Sequence, residues 1–196
     1  MGSLEIIIGP MFSGKTELLI EKCKELYSDK NVHSFAINYD KDTRYGSNII
    51  ASHSGFWIPS TNLKSLSELF KYPLCNDIKK YTHFFINEAQ FFSDLKSVVV
   101  KLVEEYNKHI IICGLDSDYK REKFGDIWEL IPHADSIVKL KGKCQNCTND
   151  SIFTHRITNE TAQEIIGVTN YIPLCRRCYN TANTFQEENV QFHKIS

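Results

Sequence analysis

The chain has 196 residues, 42% of them hydrophobic, enough to bury one good core and a small appended module. Its formal net charge of −1, with acidic and basic residues interspersed, argues against the basic footprint of a nucleic-acid binder, and no apolar run approaches the roughly 20 residues needed to span a bilayer. The start lacks a basic n-region and a cleavage site, and Ile6 stands where a myristoylation signal needs Ser or Thr, so a soluble, cytoplasmic protein is expected.

In chain order, the apolar run LEIIIG leads into GPMFSGKT, Gly9 to Thr16. This is the pattern of a phosphate-binding loop: Gly9, Pro10, Met11, Phe12, Ser13 and Gly14 curl so that backbone N–H groups face an anion, Lys15 neutralises the β/γ-phosphates and the Thr16 hydroxyl ligates Mg²⁺. The segment GKTELLIEKCKEL follows with Leu19, Cys23 and Leu26 at helical spacing, so a helix starting at Gly14 adds its positive dipole end to the site. The runs VHSFAI, HFFIN and HIIICG also lack two-residue alternation. With LKSLSELF and SDLKSVVVKLVEEYNK read as covering helices, the second capped by Ser93, they predict an α/β fold with a parallel sheet flanked by helices. SIVKLK adds a further strand. Cys23 and Cys113, within apolar runs, read as small buried hydrophobes.

At Gly142 the chain becomes turn-rich. The expected division is a phosphate-loop domain over 1–141 and a cysteine-bearing domain over 142–196, with a polar, frayed tail after Asn180. Seven cysteines is an odd count, and the pairs Cys144/Cys147 and Cys175/Cys178, 27 residues apart, read as a tetrahedral thiolate site on β-hairpins rather than as disulfides. Such a zinc ribbon has no open coordination position, which makes the Zn²⁺ structural.

The end of HFFIN presents Asn87 and then Glu88. Asn87 can accept a hydrogen bond from a Mg²⁺-bound water but brings no charge. Glu88 is the better general base for an acceptor hydroxyl, the plainer alternative being a cap on the next segment. Phe91, Tyr119 and Phe124 suit either a flat base or ordinary core. The cluster Lys120, Arg121, Lys123 is broken by Glu122.

The series GPMFSGKT, DKDTRYGSN, INEAQFF, GLDSDYKREKFG, CQNC and NYIPLCRRCY resembles the successive signatures of the cytosolic, zinc-containing thymidine kinases, from Ile8 to about Tyr179. The resemblance implies transfer of the γ-phosphate of ATP to the 5′-hydroxyl of thymidine, with deoxyuridine as an alternative acceptor, giving dTMP in nucleotide salvage. It implies Glu88 as base, Lys15 and Thr16 on the phosphates and Mg²⁺, and Asp42, Arg44 and Arg121 around the transferred phosphate. A thymine pocket would be lined by Met11, Phe91, Leu115, Tyr119, Phe124 and Tyr171. A lasso loop between Cys147 and Cys175, carrying Ile165, Ile166 and Gly167, would grip the base through its main chain. Feedback inhibition by dTTP and a homotetramer follow from the same resemblance, without a nucleic-acid or membrane partner.

Three features depart from the family's pattern: Asn87 in place of aspartate, GKTELL one residue shorter than GK-[ST]-T-E-L, and Ile166 in place of a lasso glycine. The competing readings are a zinc-ribbon ATPase acting on nucleic acid, against which the near-neutral charge counts, and a catalytically quiet nucleoside-binding protein, favoured only by Asn87.

Overall fold

The computed structural model describes all residues except Thr43, Tyr45, Ile166, Gly167, Val168 and 193–196, and for Asp77 and residues 185–192 the backbone alone. The run LEIIIG forms β1 (Ser3–Gly9) and is followed by α1 (Lys15–Leu26) and β2 (Ser34–Tyr39). Three short strands come next, β3 (Ile49–Ala51), β4 (Trp57–Pro59) and β5 (Thr61–Leu63), then a 3-10 helix at Leu66–Phe70, α2 (Cys75–Ile78) and β6 (His83–Ile86). A single 3-10 turn (Ala89–Phe91), α3 (Leu95–Glu104), β7 (His109–Leu115), a 3-10 helix (Ile127–His133) and β8 (Ser136–Lys139) complete the first part.

Six strands form one sheet in the order β5-β2-β6-β7-β1-β8, with every neighbouring pair parallel. Both faces are covered, which explains the unbroken apolar runs. Leu4, Ile6, Ile8, Phe84, Ile86, Ile110 and Ile112 point to the side covered by α3 and the 3-10 helices. Ile7, Phe85, Ile111 and Cys113 point to the other side, where Leu19, Ile20 and Cys23 of α1 meet Ile50 and Ile58 of the β3–β4 hairpin. Cys23 and Cys113 are buried there, as their apolar surroundings predict.

Beyond β8 the chain makes two small antiparallel pairs, β9 (Gly142–Lys143) with β10 (Asp150–Ser151) and β11 (Phe153–Arg156) with β12 (Tyr171–Leu174). It ends in α4 (Arg176–Phe192). As far as Phe192 the tail after Asn180 is therefore helical rather than frayed. Its first turn is anchored by Tyr179, 4% exposed, whose hydroxyl donates to the Tyr119 carbonyl at 2.6 Å. Among the described residues no helix is long and apolar enough to cross a membrane.

Other local expectations shift for identifiable reasons. Gly14 caps α1 in a left-handed conformation, φ 81°, so the helix begins at Lys15. LKSLSELF yields only five helical residues, and Asp94, not Ser93, stands at the start of α3. Asp94 does not cap its own helix. Its carboxylate reaches across to Leu66–Phe70 and accepts from Leu66 N (3.1 Å), Ser67 N (2.8 Å) and Ser65 Oγ (2.5 Å).

Partial burial opposes ionisation of Asp94, but these three donors outweigh it and hold its carboxyl below the usual aspartate range. A folded-state pKa below the unfolded value contributes stability above about pH 4 that is lost as the pH falls further. Asp94→Ala should therefore cost about 1 kcal/mol at pH 7, the scale of a lost helix cap. Thermal unfolding of variant and parent should converge toward pH 3, and a gap independent of pH would contradict the charged-cap role.

Candidate active site

The C-terminal ends of β1, β6 and β7 lie side by side, with Ile8 opposite Gly114 and Ile86 opposite Ile112. That register brings the phosphate loop, Asn87–Glu88 and Leu115 to the rim of one cavity of about 450 Å³, within the range of small-molecule sites. Met11, Phe12, Ser13, Gly14, Lys15 and Thr16 form one wall. Gly9 and Pro10 lie just before it, at the end of β1 and the start of the loop. Phe12 is left-handed, φ 61°, and exposes its ring toward His53, centroids 6.0 Å apart. Lys15 Nζ donates to the Pro10 carbonyl at 2.7 Å. Removal from water lowers the Lys15 pKa against the opposing pull of Glu88, so an anion beside it would favour the charged form.

Behind the loop runs a chain of amides. Asn87 Oδ1 accepts from Thr16 Oγ1 at 3.2 Å and from Cys113 Sγ at 3.0 Å. Burial pushes the Cys113 thiol up to about 12, which keeps it a donor at neutral pH. Asn87 Nδ2 donates to Asn38 Oδ1 at 2.9 Å, and Asn38 Nδ2 in turn faces the Asp42 and Ile49 carbonyl oxygens at 3.3 and 3.4 Å. Both asparagines are buried.

Glu88 sits in a left-handed conformation, φ 51°, directly after β6. Its two oxygens have separate partners: Arg44 Nη2 on Oε1, and Gln90 Nε2 on Oε2 at 2.7 Å. Arg44 also binds Asp42 twice, Nε to Oδ1 at 2.5 Å and Nη2 to Oδ2 at 3.0 Å. Burial would lower the Arg44 pKa, but Glu88 and Asp42 raise it, so the guanidinium is a fixed cation. Gln90 Oε1 accepts from Leu115 N at 3.1 Å, which ties the carboxylate's support to β7.

Beyond Glu88 the cavity becomes aromatic. Phe91 packs edge-on against Phe124, centroids 5.4 Å apart, and stacks on Tyr39 at 5.1 Å. Leu115, Tyr119, Ile165 and Tyr171 complete this end; Ile166 and Gly167 lie outside the described residues. Arg121 is not brought to the cavity. Left-handed at φ 69°, it lies over the rings of Tyr179 and Phe153 at 4.9 and 5.4 Å.

Sequence reasoning passed over several residues that line or support this cavity: Asn38, Tyr39, Gln90, Asp118, Thr154, Arg156 and Gln163. Thr154 Oγ1 accepts from Met11 N at 3.0 Å, tying β11 to the phosphate loop. Arg156 is 2% exposed, and its guanidinium carbon lies 3.7 Å from the centre of the Tyr119 ring. A lone arginine in the alternating segment SIFTHRI carries no sequence signal for such a place.

The sulfur atoms of Cys144, Cys147, Cys175 and Cys178 lie within 4.8 Å of one another, and Cys147 Sγ is 3.6 Å from Cys175 Sγ and 3.7 Å from Cys178 Sγ. Tetrahedral ligation with Zn–S bonds of about 2.3 Å needs sulfurs roughly 3.8 Å apart, so this group could hold a metal ion.

The chain is similar in sequence to known proteins. The family profile described as thymidine kinase matches residues 2–179. A thymidine kinase of Oryza sativa subsp. japonica is 37% identical over 179 residues, covering 91% of this chain and 66% of the rice protein. Thymidine kinase a of Arabidopsis thaliana is 36% identical over 92% of this chain and 76% of its own length. The thymidine kinase of Sheeppox virus is 36% identical over 91% of this chain and 97% of its own length.

The amide chain makes a specific demand on position 87. Asn87→Asp would aim an oxygen at Asn38 Oδ1, and Asn38 cannot turn its amide without aiming oxygen at two carbonyls. The variant should lose about 1–3 kcal/mol at pH 7 and recover part of it near pH 4, where a protonated carboxyl again donates. Denaturant unfolding at both pH values measures this. Equal stability of the two proteins at pH 7 would show that the amide chain is not structural.

Proposed function

This chain belongs to the thymidine kinase family and is a kinase, a transferase; on that premise we propose that it moves the γ-phosphate of ATP to the 5′-hydroxyl of thymidine, releasing ADP and dTMP in nucleotide salvage. What carries the reading is one cavity with a phosphate loop at one end, an aromatic slot at the other, and Glu88 between them. A triphosphate held on the loop and a flat base held in the slot would bring donor and acceptor together at that carboxylate.

In this reading Glu88 takes the 5′-hydroxyl proton as the O5′–phosphorus bond forms and the bond from the γ-phosphorus to the bridging oxygen of ADP breaks. Arg44 holds the carboxylate in place, and with Lys15 it offsets the charge spread over the transferred phosphoryl oxygens. Mg²⁺ bound with ATP supplies further charge neutralisation, and the oxygens of Thr16 and Asn87 are the groups that would hold it and its waters. Asp42 acts through Arg44. Met11, Phe91, Leu115, Tyr119, Phe124, Ile165 and Tyr171 would contact the base. The four cysteines would hold a structural Zn²⁺ that keeps β9–β12 in shape.

Deoxyuridine as a second acceptor, the roles of Ile166 and Gly167, inhibition by dTTP, homotetrameric assembly and a cytoplasmic location belong to the same proposal. They rest on family membership. The division at residues 141 and 142 is proposed from the change in sequence character at Gly142.

Four measurements test the chemistry and the metal. With ATP and Mg²⁺, a nucleoside panel scored for monophosphate should show thymidine used best. Glu88→Gln should lower kcat by roughly 10²–10⁴-fold with little change in thymidine affinity; a collapse of affinity at unchanged kcat would make Glu88 a binding residue. Metal analysis should find about one zinc per chain, and Cys147→Ser or Cys178→Ser should weaken nucleoside binding more than ATP binding. Protein that is fully active and metal-free would refute the zinc assignment.

A further inference from the structure

Arg156 ends β11, and the chain then runs over the aromatic end of the cavity before returning in β12. Among the described residues its buried guanidinium meets neutral oxygens. Nη1 donates to the carbonyls of Glu160 and Ala162 at 2.9 and 2.5 Å, and Nη2 donates to the Gln163 carbonyl at 3.2 Å and to the Tyr171 hydroxyl at 2.6 Å. The face of the same group covers the Tyr119 ring at 3.7 Å. The Tyr171 hydroxyl passes its own proton to the Ile165 carbonyl at 3.3 Å.

The same segment is held from the β7 side. The Tyr119 hydroxyl donates to the Thr161 carbonyl at 3.3 Å, and Gln163 Nε2 donates to Asp118 Oδ2 at 2.9 Å and to the Lys123 carbonyl at 3.0 Å. Gln163, Glu164 and Ile165 line the cavity with Tyr119 and Tyr171.

We propose that Arg156 is the positioning residue of the acceptor slot: one planar guanidinium fixes the backbone of residues 160–163 and the two tyrosines together, and so sets the width available to the base. Charge on the donor strengthens each of these hydrogen bonds. A buried cation is costly unless hydrogen-bonded, so the carbonyls of the segment stay turned inward. If residues 160–165 lifted, they would strip the cation of its partners. The slot is thereby held at a fixed width suited to a one-ring base, and it disfavours a bicyclic purine.

This inference rests on the thymidine-phosphorylating reading. Arg156→Lys keeps the charge but loses the fork and the stacking on Tyr119. It should raise the thymidine KM by about 10-fold or more, leave the ATP KM unchanged and kcat at saturation nearly so, and narrow the preference for pyrimidine over purine nucleosides. Tyr171→Phe, which removes one acceptor of the same fork and cannot disturb the charge, should shift the thymidine KM in the same direction by a smaller factor. The double variant should fall short of the product of the two effects. An unchanged thymidine KM in both folded variants, or thymidine and ATP constants rising together, overturns the assignment. A parent enzyme that phosphorylates thymidine in the same assay keeps that outcome separate from the reading of function.

Discussion

Adjacent parallel strands end at the same edge of a sheet, and here that edge supplies the phosphate-loop end of the candidate site. Because β1, β7 and β6 are neighbours in register, the loop after β1, the Asn87–Glu88 corner after β6 and the turn after β7 leave the sheet within reach of one another. The corner is then bent sharply: Phe12 and Glu88 both adopt left-handed backbone, a conformation costing roughly 1–2 kcal/mol for a residue with a Cβ. The strain turns the Phe12 ring out of the loop and the Glu88 carboxylate into the cavity. The apolar packing on both sheet faces offsets that cost, so the core is what keeps the carboxylate aimed.

Electrostatics at this edge follows from the same confinement. Asp42, Arg44 and Glu88 form a relay of alternating charge, and the hydration they lose is replaced by one another, by Gln90 on Glu88 and by Asn38 on Asp42. Lys15 stands apart, turned onto a carbonyl of its own loop. Of the two cations lining the cavity, Arg44 is fixed by carboxylates and Lys15 rests on a carbonyl oxygen. A neutral Asn87 fits this arrangement, because the amide links Thr16 to Asn38 through its two ends, which a carboxylate cannot do.

The sheet was legible because buried parallel strands write themselves as unbroken apolar runs, and the phosphate loop because its chemistry needs fixed spacing. Leu19 and Cys23 on α1, and the four clustered cysteines, follow from periodicity and pairing alone. Short elements escaped. β3, β4 and β5 have three residues each, too few to show a period, and β5 is placed only by pairing with β2. LKSLSELF shows a helical period, yet only Leu66–Phe70 is helical, as a 3-10 helix, and Leu63 belongs to β5. Polar side chains whose value lies in long-range partners were invisible for the same reason: Asn38, Gln90, Gln163 and Arg156 acquire roles only when strands remote in sequence meet. The polar tail misled in the opposite sense, since Tyr179, with Cys178 and Ala182 packed against the same cluster, anchors the start of a helix.

Gly142 opens the cysteine-bearing region, and a Cβ there would come within 2.8 Å of the Phe12 carbonyl. Together with the hydrogen bond from Met11 N to Thr154, that close approach makes the second region part of the scaffold of the phosphate loop. The seam at this point is therefore poor ground for recombination. A gene fragment ending before Gly142 would encode a sheet with the right strands and a loop deprived of its brace, and exchange of the downstream region between relatives would succeed only where a small residue and a hydroxyl arrive together at these two places.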